Sequence, residues 1–533
     1  MASQQTKIPL SATAHFSKLL LNYIASDSTL SEFYSYSPTI EGFKDILISI
    51  KSQTYNRELL VEVIKKQYQQ STIDSSFLNI NRLLNKNTYT ICTGHQLCLF
   101  TGPLYFIYKI ISTINLSETL QKQFPEYHFI PVYWMATEDH DFEEIKNIHL
   151  FGKNVSWENI EARGAVGRLD TNSLMPVIDE LKLILGESEY ANELIQLFSE
   201  AYLKNNTLAD AMRYLVHQLF GNFNLLIVDG NDKQLKAEFA YIMQDDIINA
   251  TNHQLVNQSI EQLNTFGYKA QVNPREINCF YMKNDVRERI GFDSHAQLYT
   301  VLNTTITFTK EQLIADLQTH PERYSPNVVL RPLFQQKILP NLAYIGGPGE
   351  IAYWLEFKAM FAHHKITYPV LIPRSFALLT DEKSVQQLNK LGFEMKDIFK
   401  ETDVLVKQYV IKHVDKELLL NEETEKVSVI FNQISEKAND IDYTLKAVVE
   451  AELQKSIKAV KAIEAKMLKA EKQKQETAIQ QIKKLKNKFF PEGILQERYD
   501  NFAPYYLKSG KHFIEKLKSE FDPLDFQLLI IEF

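Results

Sequence analysis

The chain has 533 residues, more than one hydrophobic core usually spans, so we expect two or three structural units. It is 45% hydrophobic and 23% charged, as globular proteins are, and its net charge of −8 argues against a dedicated nucleic-acid binder. Three cysteines exclude a disulfide framework and a cysteine-based zinc site, and the lack of an apolar signal core or of a run of about 18 apolar residues predicts a cytoplasmic protein with no membrane partner.

Residues 1–87 are predicted to form an N-terminal helical segment that packs on the core. Apolar residues recur there at steps of three and four, the spacing of one helix face. The predicted helices are Ser17–Ile24, Ile40–Ile50 and Arg57–Tyr68.

Residues 88–379 alternate between strand-like and helix-like runs. This alternation favours an α/β core with a mainly parallel sheet covered on both faces. The predicted strands are Thr88–Cys92, Phe129–Ala136, Leu225–Val228 and Pro369–Ile372. The predicted helices are Leu104–Leu120, Ser188–Leu203, Leu208–Phe220, Asp232–Ile248 and Ile351–His363. The turn signal Lys283-Asn284-Asp285 lies between two β-leaning stretches and marks a hairpin within an insertion near residues 250–325.

Residues 380–490 are predicted to form an antiparallel coiled coil. Apolar or small residues follow heptad spacing within the stretch Glu422–Lys488, which contains no Pro and no Gly. They are Leu453, Ile457, Val460, Ile463, Met467 and Ala470, followed by Ala478, Ile482, Leu485 and Phe489. A helix over 441–488 would be about 70 Å long and needs a partner, either the segment 382–410 or a second subunit. Residues 491–533 are expected to return to the body of the protein.

The segment Thr93–Asp141 concentrates polar residues at the ends of two predicted strands. This pattern is typical of a βαβ unit whose strand C-termini carry a functional site. Gly94 permits a tight turn with positive φ, while His95, Gln96 and Thr101 offer polar side chains. The amides near Thr101 and Gly102 lie at a helix start, where unpaired N–H groups bind phosphate or carboxylate. An ordinary strand-to-helix turn is the alternative.

A second polar cluster, Glu138-Asp139-His140-Asp141, follows the strand that ends near Ala136. Three carboxylates around one imidazole can hold an amine, orient a hydroxyl, bind a metal or transfer a proton, so all four residues are catalytic candidates. Acids decorating a helix N-terminus are the alternative. We favour a polar substrate site over a metal site, because no second ligand cluster stands out.

Three further segments are predicted to bind anions. Gly346–Glu350 opens a helix with glycines, so Gly347, Gly349 and Glu350 are candidates, although a close backbone turn explains them nearly as well. Asn327 and Arg331 surround an apolar stretch, and Arg374 follows a predicted strand. An arginine at such a place is a carboxylate or phosphate clamp or an ordinary salt-bridge residue.

Cys92 and Cys98 flank the first polar loop, but no base is visibly paired with either. Buried cysteine usually acts as a small apolar residue, which is the reading we favour over a nucleophile.

Several of these segments together resemble the cysteine-adding enzymes of bacillithiol biosynthesis, the BshC family, in order and across essentially the whole chain. The motifs are Thr93-Gly-His-Gln, Thr101-Gly-Pro-Leu-Tyr, Glu138-Asp-His-Asp, Ser325-Pro-Asn-Val-Val-Leu-Arg-Pro, Gly346-Gly-Pro-Gly-Glu-Ile-Ala-Tyr-Trp, Pro369-Val-Leu-Ile-Pro-Arg and Leu495-Gln-Glu-Arg with Asn501-Phe. The resemblance implies a Rossmann-like core related to class I aminoacyl-tRNA synthetases and nucleotidyltransferases, with inserted segments and a C-terminal coiled coil that supports a homodimer. Many members carry Gln-Gln where this chain has His95-Gln96, so Gln96 carries over better than His95.

The resemblance also implies the reaction, in which L-cysteine is joined to glucosaminyl malate. Amide formation requires an activated acid, and ATP or another nucleotide is the candidate activator, although no lysine signature loop of the synthetase kind is present. We expect glycine-loop amides and Arg331 to hold the anionic groups, and Glu138, Asp139 and His140 to orient or deprotonate the amine. The alternatives are another α/β nucleotidyl- or glycosyl-type transferase, or a non-enzymatic interaction protein built on the coiled coil.

Overall fold

The computed structural model describes residues 6–71, 73–76, 78–159, 162–413 and 419–533. The chain divides into two compact units: Met1–Ala377 with Glu497–Leu529, and Leu378–Gln496 with Ile530–Phe533. Within the described ranges, every helix is too short or too polar to cross a membrane.

The helices are numbered α1 to α22 in chain order. They are α1 Lys18–Ile24, α2 Ile40–Ser49, α3 Arg57–Gln69, α4 Tyr105–Gln123, α5 Phe142–Ile145, α6 Met175–Leu185, α7 Glu189–Leu203, α8 Leu208–Phe220, α9 Lys233–Ala237, α10 Ala240–Asn249, α11 Thr251–Thr265, α12 Lys310–Thr319, α13 Arg331–Ile338, α14 Pro348–Leu355, α15 Lys358–His363, α16 Glu382–Lys390, α17 Thr402–Lys412, α18 Asn421–Ile441, α19 Leu445–Lys474, α20 Glu476–Phe489, α21 Ala503–Ser509 and α22 His512–Glu520.

The strands are numbered in the same way. They are β1 Thr6–Pro9, β2 Thr88–His95, β3 His128–Met135, β4 Asn147–Leu150, β5 Lys153–Ser156, β6 Leu226–Asp229, β7 Cys279–Lys283, β8 Val286–Asp293, β9 Leu298–Val301, β10 Thr307–Phe308, β11 Tyr324–Pro326, β12 Asn341–Gly346, β13 Val370–Pro373, β14 Phe376–Thr380 and β15 Gln527–Glu532.

A five-stranded parallel sheet in the order β13-β12-β2-β3-β6 forms the centre of the first unit. Its strands are almost entirely buried, as expected for a parallel sheet covered on both faces. Chain order reverses between β2 and β12, which is the topological switch point where Rossmann-like sheets bind ligands. The predicted Rossmann-like α/β fold class is confirmed.

Among the five strands of the parallel sheet, β12 is the one that the sequence pattern did not predict. It has six residues, follows Pro340 and runs directly into Gly346-Gly347, so its short apolar run has too few residues to show a period. Its neighbours are nevertheless β2 and β13, which places it at the switch point. The Gly347 loop and β2 therefore end side by side.

The predicted insertion folds largely as an antiparallel sheet in the order β10-β9-β8-β7-β11. The predicted hairpin is confirmed: Lys283 pairs with Val286 across the turn residues Asn284 and Asp285, and Asn284 adopts the positive φ of 52° that such a turn requires. This hairpin carries side chains toward the core sheet.

Two predicted helices of the first unit are broken. The run Asp232–Ile248 divides into α9 and α10, and the run Ile351–His363 divides into α14 and α15. The second break lies beside Glu356, a buried carboxylate that accepts hydrogen bonds from the amides of Gln271 and Val272. Tertiary contacts therefore override helical periodicity there.

The second unit contains helices α16 to α20, and its coiled coil differs in detail from the predicted arrangement. The predicted helix over 441–488 is broken at Asp442, whose carboxylate accepts the N–H and hydroxyl of Thr444, and again at Gln475. As a result α18, rather than the segment 382–410, is the antiparallel partner of α19, and Leu420 N–H donates to Glu464 at 3.0 Å. Helix α17 packs against α19 and α20 instead.

Candidate active site

A cavity of about 660 Å³ lies at the carboxyl edge of the parallel sheet, across the switch point between β2 and β12. Its walls come from the ends of β2, β3 and β12 and from the inserted hairpin β7–β8. The predicted site residues that line it are Gly94, His95, Gln96, Glu138, Asp139, His140, Asn327, Arg331, Gly347, Gly349, Glu350 and Arg374. Segments far apart in sequence thus meet in one pocket.

Thr101, Gly102 and Asp141 do not line this cavity. The amides predicted to be free are paired within the protein, since Thr101 N–H donates to Cys98, Gly102 N–H to Leu99 and Leu104 N–H to Asp500. The prediction of unpaired amides there is therefore wrong. Gly102 has a φ of 65°, and the side-chain amide of Asn501 binds its carbonyl, so this loop is a structural turn.

Asp141 serves helix α5. Its carboxylate accepts the backbone N–H of Glu144 at 3.2 Å, which is the ordinary role of aspartate at a helix N-cap. Glu138, Asp139 and His140 line the cavity, whereas Asp141, the last residue of the predicted cluster, caps the helix instead.

Gly94 differs from its predicted role, because it lies in β2 without a positive φ. A Cβ at this position would lie 3.0 Å from Nη1 of Arg331 and 3.5 Å from the hydroxyl of Tyr344. The missing side chain therefore makes room for the guanidinium group.

We expect Gly94→Ala to displace the Arg331 guanidinium and to weaken binding of a carboxylate ligand by about tenfold, because a charge-assisted hydrogen bond contributes about 1.5–3 kcal/mol. Isothermal titration with the anionic substrate would measure this loss. The control is Arg331→Ala: if Gly94 acts through the guanidinium, adding Gly94→Ala to Arg331→Ala causes no further loss. A full additive loss would contradict this role.

The polar loop after β2 binds the carboxylates after β3. The side-chain amide of Gln96 donates to Asp139 at 2.7 Å and to Glu144 at 2.6 Å. His95 packs between the rings of Tyr105 and Phe106, and burial lowers its pKa to about 3, helped by the nearby charge of Lys109. Gln96 thus orients a cavity carboxylate, while His95 is a neutral wall residue at neutral pH.

Each member of the Glu138–His140 cluster has a different environment. Glu138 forms an ion pair with the fully buried Lys236, which fixes its carboxylate. Burial opposes ionisation of Asp139, but hydrogen bonds from the Gln96 side chain and the His140 backbone N–H and the charge of Arg287 hold its pKa below the usual range. Asp139 is therefore a fixed anion, suited to binding a cationic amine.

His140 is oriented by the inserted hairpin. Nη1 of Arg287 lies 2.6 Å from Nδ1 of His140, and an arginine can only donate, so Nδ1 accepts and Nε2 carries the proton. Arg287 also donates to Ser325 at 3.2 Å and stacks on Phe280. The imidazole therefore presents the Nε2 N–H as a donor, and its basic nitrogen, Nδ1, is occupied by Arg287.

Arginines dominate the cavity, and the sequence pattern pointed to only two of them. Arg275, Arg289 and Arg498 lie exposed at its mouth, whereas Arg287 is buried inside it. Arg287 and Arg289 are two residues apart on β8, and side chains at this spacing point to the same face of a strand. This spacing was the one signal in the sequence that could have paired them. Together with Arg331 and Arg374, these arginines make the lining more cationic than anionic.

Arg331 is the arginine best placed to bind a ligand anion. Nη1 donates to Gln335 at 3.0 Å, and within the described part of the chain no carboxylate lies within salt-bridge distance of the guanidinium. Asn327 positions it, since its side-chain oxygen accepts the N–H groups of Val329 and Leu330 ahead of α13. Asn327 itself is thus held in a turn.

Glu350 joins the glycine loop to a lysine that the sequence pattern did not reveal. Its carboxylate accepts Lys109 Nζ at 2.7 Å, the N–H of Gly347 at 2.8 Å and the hydroxyl of Tyr344. Burial disfavours the charged form of both groups. It lowers the pKa of Lys109, whereas Lys109 and the Gly347 amide together bring the pKa of Glu350 below its ordinary value. The Gly347 amide, predicted to be free for an anion, is therefore occupied.

Arg374 is also paired inside the protein. Its Nη2 lies 2.6 Å from Glu497, and both side chains are 2% exposed, so this is a buried ion pair. The Glu497 carboxylate also accepts the N–H of Ala377. Arg374 contributes positive charge to the cavity wall but has less freedom than Arg331 to clamp a ligand.

The cysteines have the environments of small apolar residues. All three are free and buried, and burial raises the pKa of Cys98 to about 12. Cys98 Sγ lies 3.9 Å from Nε2 of His95, but a neutral imidazole and a protonated thiol do not form a nucleophilic pair.

Comparison with known proteins adds a family match over both units. Residues 3–375 match the family model described as "Bacillithiol biosynthesis BshC, N-terminal Rossmann-like domain". Residues 377–533 match the model described as "Bacillithiol biosynthesis BshC, C-terminal coiled-coil domain".

Curated relatives match along nearly their whole length. The chain is 42% identical to a protein of Flavobacterium johnsoniae over 98% of this chain and 99% of the relative. It is 41% identical to one of Flavobacterium psychrophilum and 40% identical to one of Christiangramia forsetii, with 98% of each chain covered. All three carry the name "Putative cysteine ligase BshC".

Proposed function

The chain belongs to the BshC family of bacillithiol biosynthesis, and on that premise we propose that it is the ligase that joins L-cysteine to glucosaminyl malate in the last step of that pathway. The observation that carries this proposal is a single cavity with an arginine-rich lining and a fixed anion, Asp139. Glucosaminyl malate combines two carboxylates with one amine, so its charges complement both features.

The acceptor substrate would lie across the switch point. Its malate carboxylates would bind Arg331 and the mouth arginines, because guanidinium forks match carboxylates bidentately. Its amine would lie at Asp139, with Glu138 beside it and the Nε2 proton of His140 available to a sugar or acyl oxygen. Gln96 and Arg287 act indirectly, by holding Asp139 and His140.

The reaction forms one C–N bond and breaks one C–O bond of an activated cysteine carboxyl group. We propose ATP or another nucleotide as the activator, because an acyl adenylate or acyl phosphate supplies a leaving group that a free carboxylate lacks. Arginines that the malate does not occupy would hold the phosphates. The amine, bound as an ammonium ion, loses one proton to water before it attacks and a second as the amide forms, and the phosphate group leaves with the electrons of the broken C–O bond. The three free cysteines fit a reducing compartment, and we propose that the reaction takes place in the cytoplasm.

Complementation of a bacillithiol-deficient strain tests this proposal, with thiols and glucosaminyl malate quantified separately. The expected result is restored bacillithiol and no accumulation of glucosaminyl malate. Accumulated glucosaminyl malate despite a well-expressed, folded chain would refute the ligase and would favour another transferase or a binding protein.

We also propose that the protein is a homodimer through α18 and α19. None of the residues in these two helices is fully buried in the single chain, and Leu453, Ile457 and Val460 along the heptad seam are only half-covered. Ile441 is 81% exposed and Tyr443 is 79% exposed at the turn between the helices. A second copy would remove this apolar surface from water.

Light scattering coupled to gel filtration would test the dimer. We expect the wild type to elute as a dimer and Ile457→Glu with Val460→Glu to elute as a monomer, because charges in a coiled-coil seam oppose association. The control, Lys458→Glu, changes charge on an exposed position of the same helix and should stay dimeric. A wild-type monomer at all concentrations would contradict the proposal.

A further inference from the structure

A second group of chemistry-bearing side chains lies outside the cavity, in the first unit. Asp245 on α10, His363 at the end of α15 and the adjoining His364 each offer one ligand atom, and these atoms all lie within 4.8 Å of one another. Nε2 of His363 is 3.9 Å from Oδ2 of Asp245. Since none of the three lines the cavity, the proposed ligase reaction makes no use of them.

We propose that Asp245, His363 and His364 bind one divalent transition-metal ion of the Zn²⁺ class. Two imidazole nitrogens with one carboxylate oxygen suit zinc and its neighbours, whereas magnesium and calcium prefer oxygen ligands throughout. Three protein ligands leave a fourth position for water.

The Asp245 carboxylate is held in place and has one oxygen available for such an ion. Its Oδ1 accepts the side-chain amide of Asn249 at 2.7 Å, which fixes the group. Its Oδ2 is shielded from solvent and accepts no hydrogen bond from the described residues. A buried acceptor without a donor is costly, and a metal ion beside the two histidines would satisfy it.

The helix geometry favours a cation at the same place. His363 is the last residue of α15, and His364 is its C-cap, so both imidazoles lie at the negative end of the helix dipole.

Binding requires a small closure of the three side chains. Zinc bonds of about 2.0–2.2 Å bring ligand atoms to roughly 3.3 Å from one another, closer than in the metal-free arrangement. His363 is 47% exposed and packs edge-on against the ring of His364, so a small rotation would bring it to the ion. Nε2 of His364 lies 3.0 Å from Oδ1 of Asn252. Either Nε2 exchanges this contact for a bond to the metal, or the contact orients the ring while Nδ1 binds the metal.

Calorimetric titration of the full-length, chelator-treated protein with zinc chloride tests the proposal. We expect one ion per chain, a higher melting temperature with zinc, and no response to magnesium or calcium. Asp245→Asn and the double variant His363→Ala with His364→Ala should each weaken zinc binding by about tenfold or more, as loss of a ligand does. Cobalt should give a visible absorption band in the wild type that is lost in both variants.

The matched control is His320→Ala, because that imidazole also faces a carboxylate, Glu322 at 3.1 Å, but no third ligand joins this pair among the residues that the structure describes. It should leave zinc affinity unchanged. Asp245→Asn keeps the acceptor for Asn249, so its metal-free melting temperature should match the wild type. No stoichiometric zinc binding by the wild type, or equal losses in His320→Ala and the double variant, would overturn the site.

Discussion

Lys109→Met is expected to destabilise the first unit by about 3–5 kcal/mol, the usual cost of removing one partner from a buried ion pair. Lys109 is 1% exposed, lies inside α4 and donates to both Glu350 and the carbonyl of Gly94. Its loss would leave the Glu350 carboxylate, which is 24% exposed, with only neutral donors, the Gly347 N–H and the Tyr344 hydroxyl. Chemical denaturation followed by hydrogen exchange in α4 would measure the change.

Two controls isolate the charge from the packing. Lys122→Met makes the same substitution at an exposed position of α4 and should change stability by less than about 0.5 kcal/mol. The double variant Lys109→Met with Glu350→Gln should be more stable than Lys109→Met alone, since no unpaired charge remains. If the double variant is the less stable of the two, Lys109 contributes through packing and not through the ion pair.

The role of Lys109 could not be predicted from the sequence. It lies in a helix so apolar that periodicity predicts the helix well but gives no reason to single out one lysine. Its importance depends on Glu350, which is 241 residues away in the chain. A contact between residues so far apart can be predicted only when the order of strands in the sheet is known. That order could not be predicted, because the short apolar run of β12 shows no periodicity.

The predicted residues that line the cavity meet there for a simple physical reason. In a parallel sheet all strand ends reach the same edge, so polar residues after β2 and β3 had to lie near each other. Arg287 and Arg289 were not predicted as site residues. The sequence indicated their hairpin but not that the hairpin packs over this edge of the sheet. The heptad seam likewise predicted helices, but the short Asp442 turn, which selects α18 as the partner, competes locally with helix continuation.

Asp139→Asn is expected to lower the yield of bacillithiol in the complemented strain by about 10²-fold or more, a typical effect of losing a positioned acid–base or charge-binding group. The substitution keeps the size of the side chain and an oxygen for Gln96, but it removes the charge that would bind the amine of glucosaminyl malate. Isothermal titration with glucosaminyl malate alone should show the same weakening, and this measurement does not depend on the identity of the activator.

Asp141→Asn is the matched control, two residues along the same loop. Asparagine caps a helix as well as aspartate does, so the bond to Glu144 survives and activity should stay close to wild type. The pKa of Asp139 lies below its usual range, so the carboxylate is already ionised at neutral pH and remains so as the pH falls toward about 4. The difference between the two variants should therefore persist in mildly acidic buffer. Equal losses in both would mean that the cluster acts through its overall negative charge and that the cavity does not distinguish its members.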